Sequence, residues 1–359
     1  HCHLTILSSK FMSILLITGS GGLIGSESVK FFSKKFSKVI GIDNDKRSYF
    51  FGKSASVKKN ILNIKKVYNN YFHHNFDVRN FVKLKKIFKK YNKKISFIIH
   101  CAAQPSHDWA ARNPFLDYSI NSTGTLNILE NIRLYSPNAK LAHLSTNKVY
   151  GDRPNTLPIH EKKMRYEIKK GNNFYNLGID ENMSVDNCKH SLFGASKLAA
   201  DIYCQEYIKY FNLKIGIFRA GCLTGPLHQG AELHGFLNYL IKAAKEKKTY
   251  NIFGYKGKQV RDNIHSSDVV SALWEFYKTK SNSGVYNMGG GRTNSCSILE
   301  VIDYLRKNYN IKMKFKILKS NRIGDHIWYI SNMSKFKKKH KKWKIKKKLN
   351  QIIDEMVRN

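Results

Sequence analysis

Acidic residues are scarce in this chain. Against 63 Lys and Arg there are 25 Asp and Glu, a formal net charge of +38. Such an excess can mark a phosphate-bearing partner, but the lysines are spread along the whole sequence among Asn, Ile, Phe and Tyr, as in an AT-rich coding bias. The densest run, KFKKKHKKWKIKKK at 335–348, reads as a solvated terminal face and not as a specific nucleic-acid grip. Long apolar runs are missing too. Nothing approaches the ~20 residues that span a bilayer, the longest pieces being strand-sized, such as ISFII, so a soluble protein without membrane insertion is expected. The 6 cysteines (2, 101, 188, 204, 222 and 296) show no Cys-x-x-Cys or Cys/His metal spacing, which favours reduced thiols in a cytoplasmic protein and no metal. Proline is equally rare, at 6, and no Pro/Ser linker divides the chain. The opening HCHLTILSSKF lacks an initiator Met and the length and flank of a signal peptide; residues 1–11 read as an extension before Met12.

What is present is a globular composition. With 359 residues, 42% of them hydrophobic and 13% aromatic, the chain can bury a large core and form two lobes. From Met12, strand-length apolar runs alternate with helical stretches: SILLIT, KVIGID, YFHHNFD, ISFIIHCAA, AKLAHLST and KIGIFRA. This alternation predicts an α/β fold, a doubly wound parallel sheet covered by helices on both faces. After Gly221 the pattern shifts to Gly- and His-rich loops, a helix near 233–247 and a short NIF strand. The expected division is therefore residues 12–221 as a Rossmann domain and 222–359 as a smaller α/β lobe that binds substrate, with about 257–285 returning to the first domain.

The first strand runs directly into TGSGGLIG, with glycines at 19, 22 and 25. A glycine pattern between a buried strand and a helix allows a tight turn, close approach of a pyrophosphate, and packing of a helix whose N-terminus faces the anion. Asp43 lies 18 residues past Gly25, at the end of the second strand. A carboxylate there accepts hydrogen bonds from both ribose hydroxyls and repels a 2′-phosphate, favouring NAD; Lys46 and Arg47 keep NADP as the lesser alternative.

The spacing Gly-x-x-Gly-x-x-Gly, with FDVRN (76–80), HCAAQ (100–104), NSTGTLNILE (121–130), LSTNKVYGD (144–152), QVRDNIHSSDV (259–269), YNMGGG (286–291) and NRIGDH (321–326), resembles the nucleotide-sugar epimerases and dehydratases of the extended short-chain dehydrogenase/reductase family. Within it, STNKVYGD, GKQVRD and NSCSILE are most similar to the group that epimerises carbon 2 of CDP-paratose and CDP-tyvelose, on the way to surface polysaccharide. The resemblance implies an isomerase that oxidises and re-reduces a nucleotide sugar with bound NAD, and a homodimer formed through helices near 114–134 and 191–211.

It also implies a site. Gly19, Gly22, Leu23, Ile24, Gly25, Asp43 and Asn44 would hold the cofactor, Asp77 and Val78 would meet its adenine, and Ala102, Ala103 and Asn121 would line or brace its path. Gln104, His107, Thr146, Arg261 and Arg322 would contact substrate, Thr146 through the sugar oxygen being oxidised and the arginines through the pyrophosphate. Asn147 and Lys148 stand where the 4,6-dehydratases carry an acidic pair, which argues against dehydration. Cys222, three residues after Arg219, departs from the Asn of UDP-hexose 4-epimerases.

One departure is sharper. In the family a Tyr four residues before the catalytic Lys is the base; here that place is Phe193, before Lys197. Lys197 would still fix the nicotinamide ribose. Substitutes for the phenol within reach in sequence are His190, Cys188, Tyr175, Tyr166, His107 and Asp108, among which the sequence does not choose. The competing readings are a non-catalytic NAD- or nucleotide-sugar-binding homologue that lost its Tyr, and a basic nucleic-acid binder resting on charge alone.

Overall fold

The structure, a computed structural model, describes residues 13–226, 235–280, 282–321 and 324–358. Residues 1–11 and Arg322 lie outside the described residues. Seven parallel strands make the main sheet: β1 (Ile14–Thr18), β2 (Lys38–Ile42), β3 (Tyr71–His74), β4 (Ile95–His100), β5 (Lys140–Thr146), β6 (Lys214–Ala220) and β7 (Gly284–Met288), in the spatial order β7-β6-β5-β4-β1-β2-β3. The doubly wound α/β fold expected from the alternation is the fold observed. All six anticipated strands are present, and the seventh comes from beyond residue 221.

Both faces of the sheet are buried, as the near-continuous apolar strands require. Successive residues of β1 alternate between two cores. Leu15 and Ile17 join Phe32, Phe97, Phe218 and Phe276, under α1 (Leu23–Phe32) and the 266–278 helix; Ile14 and Leu16 join Ile98, Ile128, Ile132 and Leu141 on the opposite face. That second face is covered by α2 (Gly124–Tyr135) and α3 (Ser191–Phe211).

Strand order reverses between β1 and β4, and a crevice opens there at the carboxyl ends of the strands, the usual ligand site of such sheets. A smaller sheet stands across it. Strand 260–265 pairs with 222–224 and 328–329 in parallel and with 295–297 antiparallel. A separate core of Leu240, Ile252, Val301, Leu305 and Ile353 supports this second layer.

Candidate active site

The loop after β1 is shaped by backbone contact. Gly19 has φ +68°, and a Cβ there would lie 2.8 Å from the Ala102 backbone nitrogen. At Gly25 a Cβ would lie 2.0 Å from the Gly19 carbonyl oxygen, so loop and helix meet only because this position is glycine. Gly22 caps α1. Thr18 Oγ1 lies 2.6 Å from His100 Nδ1 and accepts from the Ala102 backbone N–H at 3.2 Å, which ties β1 to β4 and aims the 102–103 segment along the crevice. Burial pushes His100 down to about 3, so this ring is neutral.

Asp43 follows β2 at the crevice edge. The Gly21 N–H donates to its Oδ2 at 2.9 Å and the Asp45 N–H to its Oδ1 at 2.8 Å; burial nevertheless raises its carboxyl above the ordinary value. Asn44 donates to Asp77 Oδ2 at 3.1 Å. Burial alone would raise Asp77, but the Arg79 guanidinium, with two contacts of 2.9 Å, outweighs it and holds this carboxyl below its usual range. Lys46 stands 3.8 Å from Asp77. Burial pushes the neighbouring Arg47 down to about 10.

These groups share one cavity of ≈ 470 Å³. Gly19, Gly22, Leu23, Ile24, Gly25, Asp43, Asn44, Asp77, Val78, Ala102 and Ala103 line one end; His107, Thr146, Phe193, Lys197 and Arg261 line the other. A glycine cradle that a Cβ would fill and a carboxylate at the tip of the second strand fit a dinucleotide. Gln104 and Asn121 sit just behind the lining and lock each other. The Gln104 N–H donates to Asn121 Oδ1 at 2.9 Å and Asn121 Nδ2 donates to the Gln104 carbonyl at 3.1 Å, while Asn121 also donates to Asp117 and Ser196. Asn121 falls within the π-helical turn Ser119–Thr123 that joins the 114–118 helix to α2.

At the reacting end, Thr146 closes β5, and its Oγ1 accepts from the Lys148 N–H at 3.2 Å. Lys197 is buried on α3 and donates to the Leu144 carbonyl at 2.8 Å; burial pushes its ammonium down to about 8. Asn147 and Lys148 both line the cavity, so neither of the two positions after Thr146 presents a carboxylate here. Lys148 donates to the Gly324 carbonyl at 2.8 Å and lies 3.7 Å from Asp325, which Arg261 grips at 2.5 Å. Asp325 thus ties two cations together in the cavity wall. The sequence reading missed this bridge although NRIGDH was noted; an acidic residue next to a glycine in a chain so poor in acid was the available signal.

Of the six substitutes for the phenol, only His107 lines the cavity. His190 Nε2 is engaged by the Val149 carbonyl at 2.9 Å, and Cys188 sits against the Val185 and Tyr150 carbonyls. Tyr175 borders a separate depression with Lys170, Gly171, Asn172, Asn173 and Asn176. Tyr166 lies in the short strand Tyr166–Ile168, and Asp108, beside His107, is not in the wall. Among the described residues, no cluster of His, Cys, Asp and Glu could hold a metal ion, and Cys101, Cys188, Cys204, Cys222 and Cys296 are free thiols.

Residues 15–289 match the model of the NAD dependent epimerase/dehydratase family. The CDP-paratose 2-epimerase of Salmonella typhi is 34% identical over 311 residues, covering 84% of this chain and 86% of that protein. The UDP-glucuronate 4-epimerase of Thermodesulfobacterium geofontis is 28% identical over 329 residues, covering 91% and 90%. Among solved structures, a UDP-glucuronic acid 4-epimerase from Bacillus cereus, in complex with UDP-glucuronic acid and NAD, shares the fold with a TM-score of 0.76 at 23% identity, over 96% of this chain and 99% of that one.

Proposed function

The chain belongs to the NAD dependent epimerase/dehydratase family and is an NAD-dependent nucleotide-sugar epimerase, and from that premise we propose that it inverts carbon 2 of a CDP-linked dideoxyhexose, as a step toward surface polysaccharide. The observation that carries the choice of reaction is the wall after β5. Thr146 is followed by Asn147 and Lys148, which offer no acid/base pair for eliminating water, so oxidation and re-reduction at one carbon is the chemistry this wall supports. The choice of carbon and nucleotide draws on the 34% identity to the CDP-paratose 2-epimerase of Salmonella typhi.

NAD, when bound, supplies the acceptor for a hydride and returns it. The residues of this chain position and polarise. Gly19, Gly22 and Gly25 admit the pyrophosphate, Asp43 takes the ribose hydroxyls, and Lys197 carries positive charge beside the reacting carbon. Thr146 Oγ1 orients the hydroxyl that becomes a ketone. Arg261, steadied by Asp325, meets the substrate diphosphate, with Arg322 as its companion. Gln104 and Asn121 act from behind the wall, by fixing the loop that carries His107.

The exposed Phe115, Leu134, Leu192, Ile202, Tyr203 and Phe211, on the 114–118 helix, α2 and α3, give a homodimer its apolar surface. Among the described residues no helix is long and apolar enough to cross a membrane, and free thiols accord with a cytoplasmic place. A non-catalytic binder would have no use for Thr146 and Lys197 together in the cavity; Phe193 alone speaks for it.

Incubating the purified protein with CDP-paratose and following the sugar signals by NMR tests the assignment. Appearance of CDP-tyvelose is expected. No conversion of either sugar, with NAD bound, contradicts it.

A further inference from the structure

We propose that the lysine-rich face at 335–348 docks this protein, peripherally and reversibly, on a membrane surface that carries anionic lipid. The proposal stands apart from the reaction assigned above. Read from the sequence, the run is a solvated terminal face; in the structure it is clamped. The helix Ser334–Lys339 packs on the edge strand β7, and the segment after it returns along the 266–278 helix. Phe336, His340 and Trp343 anchor it, each at most 5% exposed. Phe336 stacks on His340 at 4.2 Å, meets Trp343 edge-on at 5.2 Å, and reaches Phe218 and Tyr286 of the main core. Trp343 Nε1 donates to Ser271 Oγ at 2.9 Å, and the Lys346 and Lys347 N–H groups donate to the two carboxylate oxygens of Asp268 at 3.1 and 3.0 Å.

With the rings turned inward, the lysines face out. Ten fall between 335 and 348; nine are exposed, and the tenth, Lys347, pairs with Glu355. No Asp or Glu occurs from 326 to 353, and among the described residues none of the nine forms an ion pair. Lys335 and Lys339 lie 5.6 and 5.7 Å from the centre of the Tyr286 ring, a contact that leaves their charge uncancelled. Carboxylates bordering the segment are engaged already, Asp268 by the backbone and Glu275 by Lys278 at 2.8 Å. Nine ammonium groups thus share one short, fixed stretch, and their mutual repulsion is relieved by an external anionic surface.

The chemistry of the face selects the partner. Single-stranded nucleic acid is held by stacking on exposed aromatic rings as well as by charge, and here every ring in the run is buried. Duplex DNA is read by a helix laid in the major groove and by Arg; this helix has 6 residues and the run has no Arg. Lysines are point charges without a fixed binding geometry, which suits a diffuse layer of anionic head groups. No exposed apolar side chain lies between 335 and 348, so the contact is electrostatic and leaves the bilayer unpenetrated. None of the ten lysines lines the cavity, and docking uses residues separate from those that handle cofactor and sugar.

The test uses the full-length protein and co-sedimentation with vesicles of phosphatidylcholine containing about 30% phosphatidylglycerol, at about 0.1 M salt, where the screening length is about 10 Å. A net charge of +38 attracts any anionic surface, so two variants of equal charge are compared. One is Lys337→Gln/Lys338→Gln/Lys341→Gln/Lys342→Gln. The other is Lys58→Gln/Lys59→Gln/Lys65→Gln/Lys66→Gln, on the helix Lys58–Val67, which packs on β3 at the opposite edge of the sheet. Wild type is expected to bind these vesicles, to ignore pure phosphatidylcholine, and to be released at about 0.5 M salt. The first variant should bind at least about tenfold more weakly and the second within about threefold of wild type, both keeping their NAD. Equal weakening of the two variants shows attraction by net charge alone and overturns the proposal, as does a wild type left in the supernatant. If a DNA duplex of about 20 base pairs, at a phosphate concentration equal to that of the lipid, strips wild type from the vesicles and its own binding is lost in the first variant alone, the partner is nucleic acid and the membrane proposal fails.

Discussion

His107 and Phe193 meet edge to face, their ring planes 66° apart, on opposite sides of the chain's connectivity but in one wall of one cavity. The first comes from the segment after β4 and the second from α3. Their contact packs the ring that stands in the place of the phenol against a side chain of the cavity wall. The remaining expectations concern what surrounds this pair.

Gly25→Ala should abolish cofactor retention. Its Cβ would fall 2.0 Å from the Gly19 carbonyl, a backbone atom that cannot swing aside. Either α1 or the loop must move, at a cost of about 1–3 kcal/mol for an overpacked site. Nicotinamide absorbance released on denaturing the purified variant should be near zero; a variant that copurifies with a full complement of NAD would show that the loop is not the cofactor cradle.

Lys197→Met should separate stability from activity. Burial pushes this ammonium down to about 8, from about 10.4 in an unfolded chain. Below about pH 8 both states hold the proton and the penalty of burying the charge is complete. Between about 8 and 10.4 the folded chain has released a proton that the unfolded chain keeps, so this group's contribution becomes more favourable as pH rises. Removing the amine removes the penalty, partly offset by about 1 kcal/mol for the lost donor to the Leu144 carbonyl. The melting temperature of the cofactor-free variant at about pH 7 should therefore exceed that of wild type, the gap closing near pH 10.4, while turnover is lost. A variant less stable than wild type at both pH values contradicts this.

The proposed dimer is tested at the exposed apolar side chains on α3. Sedimentation of the wild type should give twice 41.5 kDa, and Ile202→Glu/Tyr203→Glu should give a monomer with unchanged secondary structure. A wild-type monomer at micromolar concentration removes the dimer from the account.

Much of the fold was legible because parallel strands buried on both faces write themselves as continuous apolar runs, as Ile14–Thr18 and Ile95–His100 do. The glycines and Asp43 were legible for a different reason: backbone contact and ribose recognition each require a particular residue at a fixed distance from a strand. What could not be read was anything set by contact between distant segments. Asp201 and Arg219 form a buried ion pair at 3.0 Å, and Ser145 donates to the same carboxylate, yet nothing in GASKLAAD or in KIGIFRA marks either residue as paired. The bridge from Asp325 to Arg261 and Lys148 was hidden in the same way. So was the choice among six stand-ins for the phenol, since all lay in segments of similar polarity and only packing put His107 alone in the cavity.

The central claim is that the chain with Phe at 193 is an active enzyme. Single-turnover formation and decay of enzyme-bound NADH, in wild type beside Phe193→Tyr, tests it most directly. The account predicts a transient in the wild type, with the variant keeping its NAD and changing the rate by no more than about tenfold, because the new hydroxyl duplicates a group already present. No transient in the wild type and a gain of roughly 10²- to 10⁴-fold in Phe193→Tyr would contradict it, and would make the natural protein an enzyme that has lost its base.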